Sequence, residues 1–139
     1  MINSFTRVVA CLACVLAVSF PVVAAAKDRI VLQVSDENPK TWGQSLNVAG
    51  NLMKDYGKGN IEIEIVVFGR GSPMLKADAI IANRVRDAVA AGVHVLQCEN
   101  SMKRFKLKKE DMNEKISYVP AGITHIIKRN KEGWVVVRP

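Results

Sequence analysis

The chain has 139 residues, 49% of them hydrophobic, and a formal net charge of +7, values that fit one globular domain. The basic charge would suit a nucleic-acid partner, but no aromatic stacking platform accompanies the lysine- and arginine-rich run at 103–109. The sequence also lacks a P-loop and a dinucleotide-binding glycine fingerprint. We therefore expect no nucleic-acid partner, and the sequence carries neither of these two nucleotide-binding motifs.

The N-terminal residues 1–26 have the form of a secretory signal peptide. Arg7 supplies a basic start, residues 8–23 are almost all apolar, and three alanines at 24–26 form a small-residue cleavage signal. The apolar run is short for a membrane span, so we expect cleavage after the alanines and no stable membrane insertion. The sequence thus predicts a periplasmic protein whose single domain covers residues 27–139.

Apolar runs and helical spacing alternate along that domain. The apolar runs predict strands near 29–34, 61–68, 93–97, 116–119 and 134–137. The helical spacing predicts helices near 41–56, 78–91, 102–107 and 121–131, the last with Ile123, Ile126 and Ile127 facing inward. This alternation predicts an α/β fold, a three-layer sandwich with a five-stranded, mainly parallel sheet and helices on both faces.

Cys98 is the cysteine of most interest, because Cys11 and Cys14 lie in the predicted signal peptide. It follows the third strand, and Asn100 and Ser101 after it are good helix N-caps. We expect Cys98 at the carboxyl end of a strand, open to water and close to helix amides that favour a thiolate. The alternatives are a buried inert thiol and a disulfide between two chains.

Other polar and glycine residues should reach the same edge, since parallel strands place their carboxyl ends together. Ser35 and Asp36 follow the first strand, and Gly69, Arg70 and Gly71 follow the second. The glycine backbone would allow a ligand to approach closely, and the Arg70 guanidinium would hold an anion. Ordinary turns also use glycines in this way, so the glycines alone are weak indicators.

No metal or organic cofactor is expected. His94 and Cys98 are four residues apart on one strand, which is poor geometry for a shared metal. Glu62 and Glu64 lie at the start of a strand, and we interpret them as solvated. His125 is interpreted as a surface or packed residue of the last helix.

An ordered set of short segments across the domain resembles the DsrE/DsrF-like family, in particular its small exported members. The segments are Gln33-Val34-Ser35-Asp36, Ile61-Glu62-Ile63-Glu64-Ile65-Val66, Gly69, Met74-Leu75-Lys76-Ala77-Asp78, Ala91-Gly92-Val93, Cys98, Asn100, Met102-Lys103, Val119-Pro120-Ala121-Gly122, Gly133-Trp134 and Arg138-Pro139.

The resemblance implies a three-layer α/β fold and sulfur relay, with sulfur carried as a persulfide on Cys98. It also implies homo-oligomers, often trimers or hexamers, and a protein that donates or accepts sulfur as a partner. Lys103 and Arg104 would stabilise the thiolate, whereas Glu99 would oppose it if its carboxylate faced the sulfur.

Two functions follow from these expectations. The first is a periplasmic sulfur-handling protein that uses Cys98 as a persulfide carrier. The second is a non-catalytic module that binds a small anion or a partner protein at the sheet edge. The expected ligand-binding residues are Ser35, Asp36, Gly69, Arg70, Gly71, Asn100, Ser101 and Lys103.

Overall fold

A computed structural model describes residues 26–139. The predicted signal peptide, except for its last residue, lies outside this range. The strands are β1 (Asp28–Val34), β2 (Ile61–Val67), β3 (His94–Cys98), β4 (Ser117–Val119) and β5 (Val135–Val137). The helices are α1 (Pro39–Tyr56), α2 (Ala82–Ala90), α3 (Glu99–Arg104) and α4 (Gly122–Lys131), with 3₁₀ turns at Gly69–Leu75 and Lys109–Asp111. In the part of the chain described, no helix has the length and apolarity needed to cross a bilayer.

The five strands form one parallel sheet in the order β4-β3-β2-β1-β5. β1, β2 and β3 are interior strands, and their apolar runs reflect burial on both faces. The chain adds strands in one direction from β1 to β4 and then returns, through α4, to place β5 beside β1. This topology confirms the predicted α/β fold.

The two faces of the sheet are covered unequally. The first face packs against residues of α1, α2 and α3, including Trp42, Leu46, Val85 and Met102. The second face packs against α4, which contributes Ile126. Helices therefore lie on both faces, as predicted, but the second layer holds a single helix within the described residues.

The prediction that Ile123, Ile126 and Ile127 all face inward is wrong for two of the three residues. Ile126 is buried, at 7% exposure, but Ile123 and Ile127 are 50% and 51% exposed. A helix that packs on the sheet without a helical neighbour buries only the narrow stripe that touches the strands. Val135 and Val137 of the edge strand β5 are also exposed, but they alternate with Val136 and so point to the first face.

Glu64 was predicted to be solvated, but it is buried, with only 3% of its surface exposed. α4 crosses over it and brings an imidazole and a guanidinium to its carboxylate. His125 Nε2 lies 2.7 Å from one oxygen, and the Arg129 guanidinium donates hydrogen bonds of 2.6 to 3.1 Å to both oxygens. Hydrogen bonding to Glu64 is the main cause that raises the pKa of Arg129. The cluster fastens α4 to the middle of the sheet.

Two helices begin at residues other than those predicted from the sequence. α2 begins at Ala82 rather than near 78, because the preceding residues form turns closed by backbone hydrogen bonds such as Ala82 N to Ala79 O. α3 begins at Glu99, directly after β3, so Cys98 itself is the N-cap residue. The second change places the thiol closer to the helix amides than the sequence pattern indicated.

Candidate functional site

Cys98 is the last residue of β3, and its side chain lies on the second face of the sheet, under the start of α4. It is 5% exposed, so the expectation of a thiol open to water is wrong. The physical reason is Gly122, whose backbone packs directly on the cysteine. A Cβ atom at position 122 would lie 3.1 Å from Phe68 Cβ and 3.3 Å from Cys98 Cβ.

The thiol is nevertheless surrounded by hydrogen-bond donors. The Gly122 N–H donates to Cys98 Sγ at 3.2 Å. Burial raises the pKa of Cys98, but hydrogen bonds from the Ser101 hydroxyl and from the backbone amides of Gly122, Ser101 and Asn100 outweigh it. The net pKa is below the ordinary value of a cysteine. The surroundings therefore favour a thiolate although the sulfur is buried.

The Ser101 hydroxyl is oriented by a second hydrogen bond. Its oxygen accepts the Gly69 N–H at 2.7 Å, which leaves the single hydroxyl proton free to point at Cys98. The Gly69 carbonyl accepts from the Ser72 hydroxyl at 3.0 Å, and Ser72 in turn accepts from Gln97 at 2.9 Å. This buried network fixes the 3₁₀ turn after β2 next to the thiol.

Gly71 belongs to the same turn and is required for its packing. A Cβ atom at this position would lie 2.8 Å from the backbone oxygen of Val34, the last residue of β1. Gly71 thus serves the close contact between two loops rather than a ligand.

The loop after β1 is held mainly by its own contacts. The Asp36 carboxylate accepts a hydrogen bond from the backbone N–H of Asn38 at 3.0 Å. The Asp36 backbone carbonyl accepts one from the Trp42 indole N–H at 2.8 Å. The Arg70 guanidinium forms an ion pair with Glu37, so its charge is already compensated. Asp36 and Arg70 therefore join the β1 and β2 loops to their neighbours.

A cleft of about 390 Å³ opens beside Cys98, and we name it the thiol cleft. Its lining residues are Phe68, Gly69, Cys98, Asn100, Ser101, Arg104, Ala121, Gly122 and Ile123. A second cleft of about 380 Å³, named the outer cleft, adjoins it. Its lining residues are Ser35, Phe68, Gly69, Arg70, Arg104 and Phe105.

The sequence-predicted residues divide into three groups. Gly69, Asn100 and Ser101 line the thiol cleft with Cys98, and Ser35 and Arg70 line the outer cleft. Asp36 and Gly71 support the loops. Lys103 is exposed and lines neither cleft, whereas the neighbouring Arg104 lines both.

The sequence did not single out the apolar cleft residues Phe68, Phe105 and Ile123. Each lies at or near the end of a strand or helix, where an apolar residue carries no periodic signal for a ligand site. Only their position at one sheet edge brings them together.

Glu99 follows Cys98 but its charge acts elsewhere. Its carboxylate lies 3.5 Å from Lys109 Nζ, and Lys109 covers the ring of Tyr118 at 4.6 Å. Burial raises the pKa of Tyr118, and the charges of Glu99 and Glu110 raise it further. Glu99 was expected to oppose the thiolate only if its carboxylate faced the sulfur. The carboxylate instead pairs with Lys109.

Metal ligands are not grouped in the described region. Between residues 26 and 139, no three His, Cys, Asp or Glu side chains are placed to hold a metal ion together.

Comparison with known proteins identifies the class. The model of the DsrE/DsrF-like family matches residues 29–139, and the chain belongs to this family, which is associated with sulfur relay. The predicted resemblance is confirmed. No curated protein sequence matches the chain.

Three solved structures that share this fold illustrate the similarity. A protein of unknown function, MTH1491 from Methanobacterium thermoautotrophicum, is 26% identical with a TM-score of 0.77, over 81% of this chain and 100% of its own. BT1422 from Bacteroides thetaiotaomicron, also of unknown function, is 16% identical with a TM-score of 0.65, over 81% and 95%. The ychN protein from E. coli is 10% identical with a TM-score of 0.65, over 82% and 100%.

Proposed function

We propose that this protein is a periplasmic sulfur carrier that holds sulfane sulfur as a persulfide on Cys98. The observation that carries the proposal is the hydrogen bond from the Gly122 N–H to Cys98 Sγ beside an open cleft, where the Ser101 hydroxyl and further backbone amides also lower the pKa of the thiol. These donors stabilise a thiolate, which is the nucleophilic form of cysteine. Membership of a family associated with sulfur relay supports the same chemistry.

The proposed step needs no oxidant. The Cys98 thiolate attacks the sulfane sulfur of a donor, the donor's own bond to that sulfur breaks, and the leaving group departs with the electron pair. The new S–S bond is about 2.05 Å long, and the thiol cleft that Cys98 lines offers space for the outer sulfur. An acceptor thiolate then attacks the outer sulfur, and Cys98 leaves as a thiolate, which its lowered pKa favours.

Mass spectrometry of the intact protein tests the proposal. After incubation with thiosulfate or polysulfide, the chain should gain the mass of one sulfur atom, and a reducing thiol should remove it. Cys98→Ser is the matched control, because it replaces only sulfur by oxygen and should gain no mass. A wild-type protein that gains no sulfur from either donor would contradict the proposal.

The export signal and the assembly are separate parts of the proposal. Cleavage after residue 26 predicts that protein from the periplasmic fraction begins at Lys27, which N-terminal sequencing can check. A homo-oligomer, a trimer or hexamer by family resemblance, would cover the exposed Ile127, Val135 and Val137. Light scattering at low micromolar concentration measures the native mass, and a monomeric mass would contradict this part.

A non-catalytic binding module is the second candidate, and the burial of Cys98 favours it. In that case the thiol packs as a small apolar group and the clefts hold an anion or a partner protein. Thiol labelling separates the two candidates. Labelling of the folded protein near neutral pH supports the carrier, whereas labelling that occurs only after unfolding supports the binding module. The same burial disfavours a disulfide between chains, which a non-reducing gel would detect.

A further inference from the structure

The thiol cleft and the outer cleft lie side by side, and we refer to the two together as the groove. They share Phe68, Gly69 and Arg104 as lining residues, with Cys98 in the thiol cleft and Phe105 in the outer one. Each cleft is in the size range that holds small organic ligands, about 300 to 1,000 Å³. A bare inorganic anion would leave most of this groove empty.

Arg104 supplies the groove with a cation that is free to bind. It lines both clefts, and among residues 26–139 no carboxylate oxygen lies within the 4.0 Å of an ion pair to its guanidinium. Arg70, the other arginine of the outer cleft, is paired with Glu37. A guanidinium that faces a groove without a carboxylate partner is suited to bind a carboxylate in two-point fashion.

Apolar side chains form part of the lining of both clefts. Phe68 lies at the junction of the two clefts, Ile123 borders the thiol cleft and Phe105 borders the outer one. Ile123 and Phe105 are exposed, so each cleft presents apolar surface to the solvent. A ligand with a hydrocarbon body would bury this surface.

We propose that the groove binds a small organic persulfide that carries a carboxylate, and that Arg104 selects this donor by pairing with the carboxylate. The inference rests on the proposed carrier function. The Cys98 thiolate attacks the outer sulfur of R–S–SH, the S–S bond of the donor breaks, and R–S⁻ leaves. The thiolate that leaves takes the proton of the transferred S–H, so the products are the Cys98 persulfide anion and R–SH.

The test compares two alkylating reagents of nearly the same shape. Iodoacetate carries a carboxylate where iodoacetamide carries a neutral amide, and both react with the thiolate at the same carbon. The ratio of their rates therefore cancels any change in the pKa of Cys98 and reports the charge near the reacting sulfur. Arg104→Gln should lower the iodoacetate-to-iodoacetamide ratio by about two- to fivefold, the range of an exposed ion pair.

Lys103→Gln is the matched control, because it removes one positive charge from the adjacent position, outside both clefts. Its ratio should stay within about 1.5-fold of wild type at moderate salt, where charges beyond about 8 to 10 Å are screened. As a second measurement, the persulfide of 3-mercaptopropionate should load Cys98 faster than the persulfide of its neutral amide, and Arg104→Gln should remove the difference.

The outcomes separate the two proposals. If Cys98 reacts with both reagents but Arg104→Gln changes the ratio no more than Lys103→Gln, the role of Arg104 is refuted while the carrier function stands. If the folded protein reacts with neither reagent, the carrier function fails, and the donor selection fails with it.

Discussion

Replacing Ser101 with alanine removes a hydroxyl that donates a hydrogen bond to the Cys98 thiolate. The amide hydrogen bonds remain, and so does the burial that opposes ionisation. The hydroxyl stabilises the thiolate more than the neutral thiol. Its removal therefore raises the pKa of Cys98 in the variant. The pH profile of thiol reactivity should therefore move to higher pH.

The size of the effect follows from the free energy of that hydrogen bond. A hydrogen bond to an ionised group contributes about 1.5 to 3 kcal/mol, and water entering the cleft recovers part of it. A net loss of about 1 kcal/mol lowers the thiolate fraction roughly fivefold at a pH below the pKa. A more basic thiolate is more nucleophilic, with a Brønsted coefficient of about 0.4 to 0.5 for disulfide exchange. The observed rate should consequently fall about two- to threefold at low pH and rise about twofold on the high-pH plateau.

The assay follows exchange with the neutral disulfide dithiodipyridine as a function of pH, so that the charge of Arg104 does not enter. Ser35→Ala is the matched control, because it removes a hydroxyl from the outer cleft at the same sheet edge. The Ser35 variant should superimpose on wild type. A Ser101 variant with an unchanged midpoint and plateau would show that the hydroxyl does not stabilise the thiolate.

Two stability predictions follow from other contacts, each with a paired control measured by urea denaturation. Gly71→Ala forces a Cβ to within 2.8 Å of the Val34 oxygen and should destabilise the fold by about 2 kcal/mol or more. The same change at Gly50, where no atom lies within 4 Å, should stabilise it by about 0.5 to 1 kcal/mol because alanine favours the helix. Glu64→Ala leaves His125 and Arg129 on α4 without their carboxylate partner and should cost about 2 to 4 kcal/mol. Glu62→Ala should stay within about 0.5 kcal/mol of wild type. Equal effects within either pair would refute the assigned contacts.

Much of the fold could be predicted because its signals are local. A strand buried on both faces needs a continuous apolar run, and β1 and β2 have one, so their positions were predicted to within about a residue. The start of α2 was less predictable. The residues before it form turns that depend on hydrogen bonds to distant residues, such as Ala77 N to Asp111 O. A helical period in the sequence cannot encode such bonds.

The candidate site was partly predictable for the same reason. The carboxyl ends of parallel strands meet by geometry, so Gly69, Cys98 and Ser101 were expected together and are found together. Residues that line the clefts from other elements, such as Arg104 and Ile123, depend on which way a short helix and α4 turn. That orientation is a property of packing.

The sequence by itself determined the alternation of strands and helices, the family and the strand-end cysteine, because each is written in consecutive or regularly spaced residues. The tertiary structure decided three further properties: that Cys98 is buried under Gly122, that the Glu64 carboxylate is held by α4, and that Ile127 remains exposed. All three depend on where α4 crosses the second face of the sheet. That crossing joins residues far apart in the chain, and its position results from packing against the sheet rather than from any local pattern.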